Sequence, residues 1–99
     1  MANLYVTEFS NYNVNMNPYQ LGLQTPVAEQ VVAFTTTTQS SAFNNSTNLV
    51  RIHTDGICSI AFGTNPTATT SKARMVAGQT EYFTVPQGQA FKVAAVTNT

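Results

Sequence analysis

On either side of Asp55-Gly56, apolar and polar residues take turns. Val50, Ile52, Cys58, Ile60 and Phe62 fall on one parity, while Arg51, His53 and Ser59 fall on the other. A period of two is the mark of a strand with one buried face. The same alternation, cut at short intervals by Pro, Gly and Asn, predicts strands over 2–9, 30–37, 48–54, 57–63, 73–76, 80–85 and 90–97, with a further short one near 40–43. A helical period is hard to find. The best window, "VAEQVVAFTTTTQ", runs from Val27 into four threonines, whose branched side chains favour strand. The expectation is an all-β chain: a small antiparallel β-sandwich, jelly-roll-like, of seven or eight strands in a single domain.

Register follows from which face is to be buried. A two-residue turn at Asp55-Gly56 would set Ile52 opposite Ser59, a poor match. A three-residue turn, Thr54-Asp55-Gly56, pairs Ile52 with Cys58 and Val50 with Ile60, and collects the apolar residues on one side. It would place Gly56 in the left-handed position of a bulged hairpin, and leave Arg51, His53 and Ser59 on a wet face. A second hairpin is predicted with Pro86-Gln87-Gly88 at its tip, bringing Phe83 opposite Phe91. Glu81 shares the parity of Phe83 and Val85, which makes Lys92 its expected partner. Two stretches read as long connections, the Asn-rich arm or loop at 10–26 and the Thr-rich segment at 64–72.

Charge changes the picture most. Only 8% of the 99 residues are Asp, Glu, Lys or Arg, against about 25% in ordinary soluble domains. Net charge is zero and no basic cluster exists, so the counterion release that drives nucleic-acid binding has no source. No apolar run approaches the ~18 residues of a membrane span, and residues 1–15 lack the pattern of a secretory signal. The single cysteine, Cys58, can form no disulfide within the chain and reads as a small core residue in a protein made in a reducing cytoplasm.

Candidate chemistry is sparse. His53, Asp55 and Ser59 are the residue types of a hydrolase triad, but nothing around them resembles a nucleophile elbow. One His and one Cys cannot supply the clustered ligands that zinc requires. No catalytic, cofactor-binding or metal-binding residue is therefore assigned. The candidate contact residues are Tyr12 and Tyr19 in the arm, and Asn65, Thr67, Thr69 and Thr70 in the Thr-rich segment. The tyrosines could stack on a sugar or on a neighbouring subunit, or anchor the arm to its own domain. The Thr-rich segment could be a subunit contact or a solvated crossover between sheets.

One further feature bears on function. The run "LVRIHTDGICSIAFGTNPTATTSKARMVAGQTEYFTVPQGQAFKVAAV" resembles a group of small tailed-bacteriophage virion proteins. Their pattern places an Arg-Ile, an Asp, a Cys, an Ile, a Gly and an Asn-Pro-Thr-Ala-Thr as Arg51, Ile52, Asp55, Cys58, Ile60, Gly63 and residues 65–69 do here. A Glu-Tyr-Phe strand (Glu81, Tyr82, Phe83, then Val85 and Gly88) follows, and "LYVTEF" and Pro26 to Gln30 also fit; residues 11–24 match nothing in it. The resemblance implies a non-enzymatic, homo-oligomeric capsid decoration or cement protein on the virion surface. A homotrimer is favoured over a dimer, with the major capsid protein as partner. The alternatives are a tail, fibre or head–tail component, or a carbohydrate-binding adhesion module.

Overall fold

In the computed structural model, residues 2–10 and 26–98 are described; Tyr12 and Tyr19 lie outside them. Eight strands follow in order: β1 (Ala2–Phe9), β2 (Ala28–Phe34), β3 (Thr38–Gln39), β4 (Leu49–Thr54), β5 (Cys58–Gly63), β6 (Ala73–Met75), β7 (Thr80–Thr84) and β8 (Lys92–Thr97). No helix occurs among the described residues. The strands form two four-stranded antiparallel sheets, in the orders β2-β1-β4-β7 and β3-β8-β5-β6. With β2 renamed the first strand and β1 the last, these orders read first–last–third–sixth and second–seventh–fourth–fifth. That is the strand order of a jelly roll, with its closing strand supplied by β1.

The two sheets meet over one core. Leu4, Val6, Val32, Phe34, Val50 and Ile52 project from the first, and Cys58, Ile60, Met75, Val93 and Ala95 from the second. Each large apolar side chain so buried contributes roughly 1.5–3 kcal/mol. At one end of the core Phe62 stacks between Phe43 (centroids 6.5 Å apart) and Phe83 (5.0 Å). These rings tie β5 of one sheet to β7 of the other.

Neither predicted hairpin forms. β4 pairs with β1 and β7, while β5 pairs with β8 and β6, so residues 54–58 arch from one sheet to the other. Val50, Ile52, Cys58 and Ile60 do share the core, but they face one another across it instead of standing side by side. Thr54, fully buried, makes the corner. Its hydroxyl donates to the Gly56 carbonyl (2.6 Å) and accepts the Gly56 amide (3.2 Å). Asp55 ties the corner to β1, its Oδ1 accepting the Asn3 amide at 2.6 Å.

Gly56 corrects a second expectation, because positive φ occurs at Gly78, Gly88 and Ala90 but not at Gly56. Its glycine is needed for space: a Cβ there would stand 2.5 Å from the Cβ of Ala2. Residues 85–91 likewise cross between sheets, and Phe83 meets Phe62 where Phe91 was expected. Glu81 is exposed and accepts a hydrogen bond from Gln79 Nε2 (2.8 Å), not from Lys92.

The Thr-rich segment at 64–72 is not a crossover between sheets, since it joins β5 to β6, neighbours in one sheet. It folds back over the outer face of that sheet. Gln39, Ala94 and Ala61 form one cross-strand row there, and Ser59 pairs with Val96 and Arg74 on the same face. Gln39 Nε2 donates to Asn65 Oδ1 and to the Pro66 carbonyl, both at 2.8 Å. Thr37 Oγ1 accepts the Ala68 amide (3.0 Å), and Asn98 Nδ2 reaches both Ser59 Oγ (2.7 Å) and the Thr70 carbonyl (3.2 Å). Ser59 and Ala94 point away from the core yet are fully buried, and Pro66 and Ala68 above them are buried as well. Small side chains on β5 and β8 let the segment lie close.

Gln39→Ala removes the bonds at one end of this lid. The expected loss is about 1 kcal/mol, read as roughly five-fold faster hydrogen exchange at the Ala68 amide with core amides unchanged. Unchanged exchange at Ala68 would show that the lid is held by something else.

Candidate functional site

With one outer face covered by the lid, the sandwich presents two different surfaces. The lid's own exterior follows from its alternation. Pro66 and Ala68 point inward, so Asn65, Thr67 and Thr69 point outward, and Thr70 beside them is also exposed. All four candidate contact residues described by the structure therefore lie together on this exterior. Asn65 is partly engaged through the Gln39 amide, and the Thr69 hydroxyl pairs with that of Ser71 at 3.0 Å. Between Gly63 and Lys72 this surface carries no charge, so a partner laid on it desolvates only hydroxyl, methyl and amide groups.

The outer face of the first sheet is organised otherwise. Because Leu4, Val6 and Glu8 face the core, Tyr5 and Thr7 face out, and the register carries that row across the strands. Val31, Tyr5, His53 and Thr80 form one row; Glu29, Thr7, Arg51 and Tyr82 form the next. Tyr5 is 39% exposed, Tyr82 44% and Val31 58%. Those are the large apolar side chains that this face leaves exposed among the described residues. His53 Nδ1 lies 2.7 Å from Thr80 Oγ1, which fixes the imidazole, and the ring leans on Tyr5 with centroids 6.1 Å apart and planes at 51°. A depression of about 590 Å³ opens here, lined by Tyr5, Thr7, Glu29, Val31, Arg51, His53 and Asp55 among others.

The wet face expected for Arg51 and His53 is this one, and both are half-buried on it. Ser59 is not with them, since it lies in the opposite sheet beneath the lid. Ser59, held by Asn98, is thus kept apart from His53 and Asp55, which line one depression but are engaged separately, His53 with Thr80 and Asp55 with the Asn3 amide. Among the described residues no three His, Cys, Asp or Glu side chains gather as metal ligands would. Cys58 is buried, and burial pushes its thiol up from the ordinary value, with the Thr54 hydroxyl pulling the other way.

Sequence reasoning passed over Tyr5 and Tyr82, although the parity of Leu4 and Val6 already pointed Tyr5 outward. It also passed over Glu8, which shares that inward parity and is 2% exposed. Its Oε1 accepts the Asn44 amide and the Thr47 hydroxyl, both at 2.8 Å, and Gln30 Nε2 lies 3.4 Å from Oε2. The Gln30 amide in turn pairs with both backbone groups of Ser41. Glu8 thereby holds the 44–47 turn that leads from β3 in one sheet to β4 in the other, which is a structural task.

Comparison with protein-family models, with curated proteins and with solved structures finds no match to this chain.

Proposed function

We propose that the protein is a phage virion structural component, a homo-oligomeric decoration or cement protein that binds the capsid shell and stabilises it. The observation that carries the reading is the lid: a charge-free exterior of Asn65, Thr67, Thr69 and Thr70, backed by buried Pro66 and Ala68 and pinned at both ends. A rigid, neutral surface loses little conformational entropy and desolvates no ion when it meets a neighbour. Repeated over a lattice, and linked through the oligomer, weak contacts of this kind sum to firm attachment. Contacts that exist only in the assembled shell stabilise it by linkage.

Support comes also from the resemblance across residues 49–96 and from the near absence of charge. The jelly-roll order occurs in viral capsid and lectin domains alike, so it is compatible with the reading without selecting it.

The test is co-sedimentation with shells of the major capsid protein, together with the mass of the free protein. A defined oligomer, a trimer by expectation, should pellet with shells to a fixed stoichiometry. Thr67→Glu with Thr69→Glu should weaken that binding at least ten-fold and leave thermal unfolding within about 0.5 kcal/mol, as for surface changes. A monomer that stays in the supernatant, or one that pellets with tails and not shells, sinks the proposal.

A further inference from the structure

The outer face of the first sheet is left unused by a contact made through the lid, and it has a chemistry of its own. We infer that Tyr5, His53, Arg51 and Glu29 form a binding site for a neutral saccharide.

Shape comes first. The depression of about 590 Å³ falls within the range of small-molecule sites, about 300–1,000 Å³.

The lining supplies both halves of sugar recognition. A pyranose has an apolar C–H face and a rim of hydroxyls. Tyr5 stands at the centre of the face, between Val31 on one side and His53 on the other. The tilted His53 ring, held by Thr80, braces Tyr5 as a preformed shelf, and little freedom is lost when a ring stacks on it. In the next row Arg51 and Glu29 stand on either side of Thr7, two strands apart. A guanidinium offers paired donors in a fixed fork and a carboxyl offers paired acceptors, which suits vicinal hydroxyls at both ends of a ligand. Asp55 adds a third polar group at the rim. One cation against two carboxyls gives no excess of positive charge, so an anionic ligand is not favoured.

The test uses the full chain, labelled with ¹⁵N and titrated with two panels of di- to tetrasaccharides: neutral (gluco-, galacto-, manno- and N-acetyl-configured) and acidic (uronate- or sulfate-bearing). At least one neutral saccharide should shift amides of Tyr5, Thr7, Arg51 and His53 in a saturable way, leaving those of residues 65–70 in place. Tyr5→Ala and Arg51→Ala should each weaken binding ten-fold or more with the spectrum otherwise native; Thr67→Ala should leave it unchanged. The inference is overturned by silence from the neutral panel, by binding of acidic sugars alone, by full affinity in a folded Tyr5→Ala, or by concentration-dependent shifts on this face without sugar, which would mark it as a subunit contact. Capsid binding is read separately, so loss of one reading leaves the other standing.

Discussion

Glu8→Ala is expected to destabilise the fold by about 2–4 kcal/mol, the cost of leaving buried donors without an acceptor. The Thr47 hydroxyl is wholly buried and the Asn44 amide points into the same pocket; both end on Glu8 Oε1. Alanine offers neither an acceptor, and although a depression lined by Glu8, Gln30, Ser41 and Asn44 opens beside them, a water entering it would have to be ordered to replace the carboxylate. Glu8→Gln separates acceptor from shape. Its remaining oxygen can still take both hydrogen bonds, but its new amide faces Gln30 Nε2, donor against donor. A loss of about 1–2 kcal/mol is expected there, with the alanine variant clearly worse. Urea unfolding checks both, and equal losses would show that the side chain's volume, not its acceptors, holds the 44–47 turn.

Gly56→Ala is the second large effect, about 1–3 kcal/mol by the usual cost of overpacking. The added methyl would sit 2.5 Å from the Ala2 Cβ, and Ala2 cannot move without its strand, which is paired to Phe34 across the sheet and tied through Asn3 to Asp55. The cause can be isolated by a cycle. Ala2→Gly alone should cost about 0.5–1 kcal/mol as a glycine in a strand. Added to Gly56→Ala, it should restore most of the loss, with a coupling above about 1 kcal/mol. Gly56→Asn should be no better than alanine. If asparagine were tolerated and Ala2→Gly gave no rescue, a left-handed backbone and not crowding would explain the glycine.

Gly56 also shows where the sequence stops being legible. Period-two alternation placed seven strands to within a few residues, with their inward faces, because burial acts on every second residue of a strand whatever it pairs with; it missed β3, which is Thr38–Gln39 and not 40–43, and set β2 at 30–37 where it is Ala28–Phe34. It could not distinguish a hairpin from an arch. In both, Val50, Ile52, Cys58 and Ile60 are buried together; only the partners of the strand edges differ, and those partners are β1 and β8, far away in the chain. In a hairpin Asp55-Gly56 is turn chemistry; in the arch the glycine answers to Ala2, 54 positions earlier.

The candidate surfaces divide in the same way. Pro66 and Ala68 fall on one parity and the lid's outward residues on the other, but nothing local says that a sheet of small residues waits beneath. Ser59 looked like a wet residue for the same reason. Tyr5 could have been placed outward from Leu4 and Val6 alone. What could not be seen was that β4 would set His53 against it and Arg51 two strands from Glu29.

The strand order has a consequence in time. β1 lies inside its sheet, between β2 and β4, and β8 lies inside the other, between β3 and β5. As the chain is synthesised, the earliest strand must wait for Thr54 before its second edge is paired. β3 has no partner at all until Ala94 and Ala95 have emerged. An unpartnered edge is open to association with other chains, so this protein is most exposed while it is being made. Before β8 is made only β5 and β6 of the second sheet can pair, and the seat of the lid still lacks Ala94.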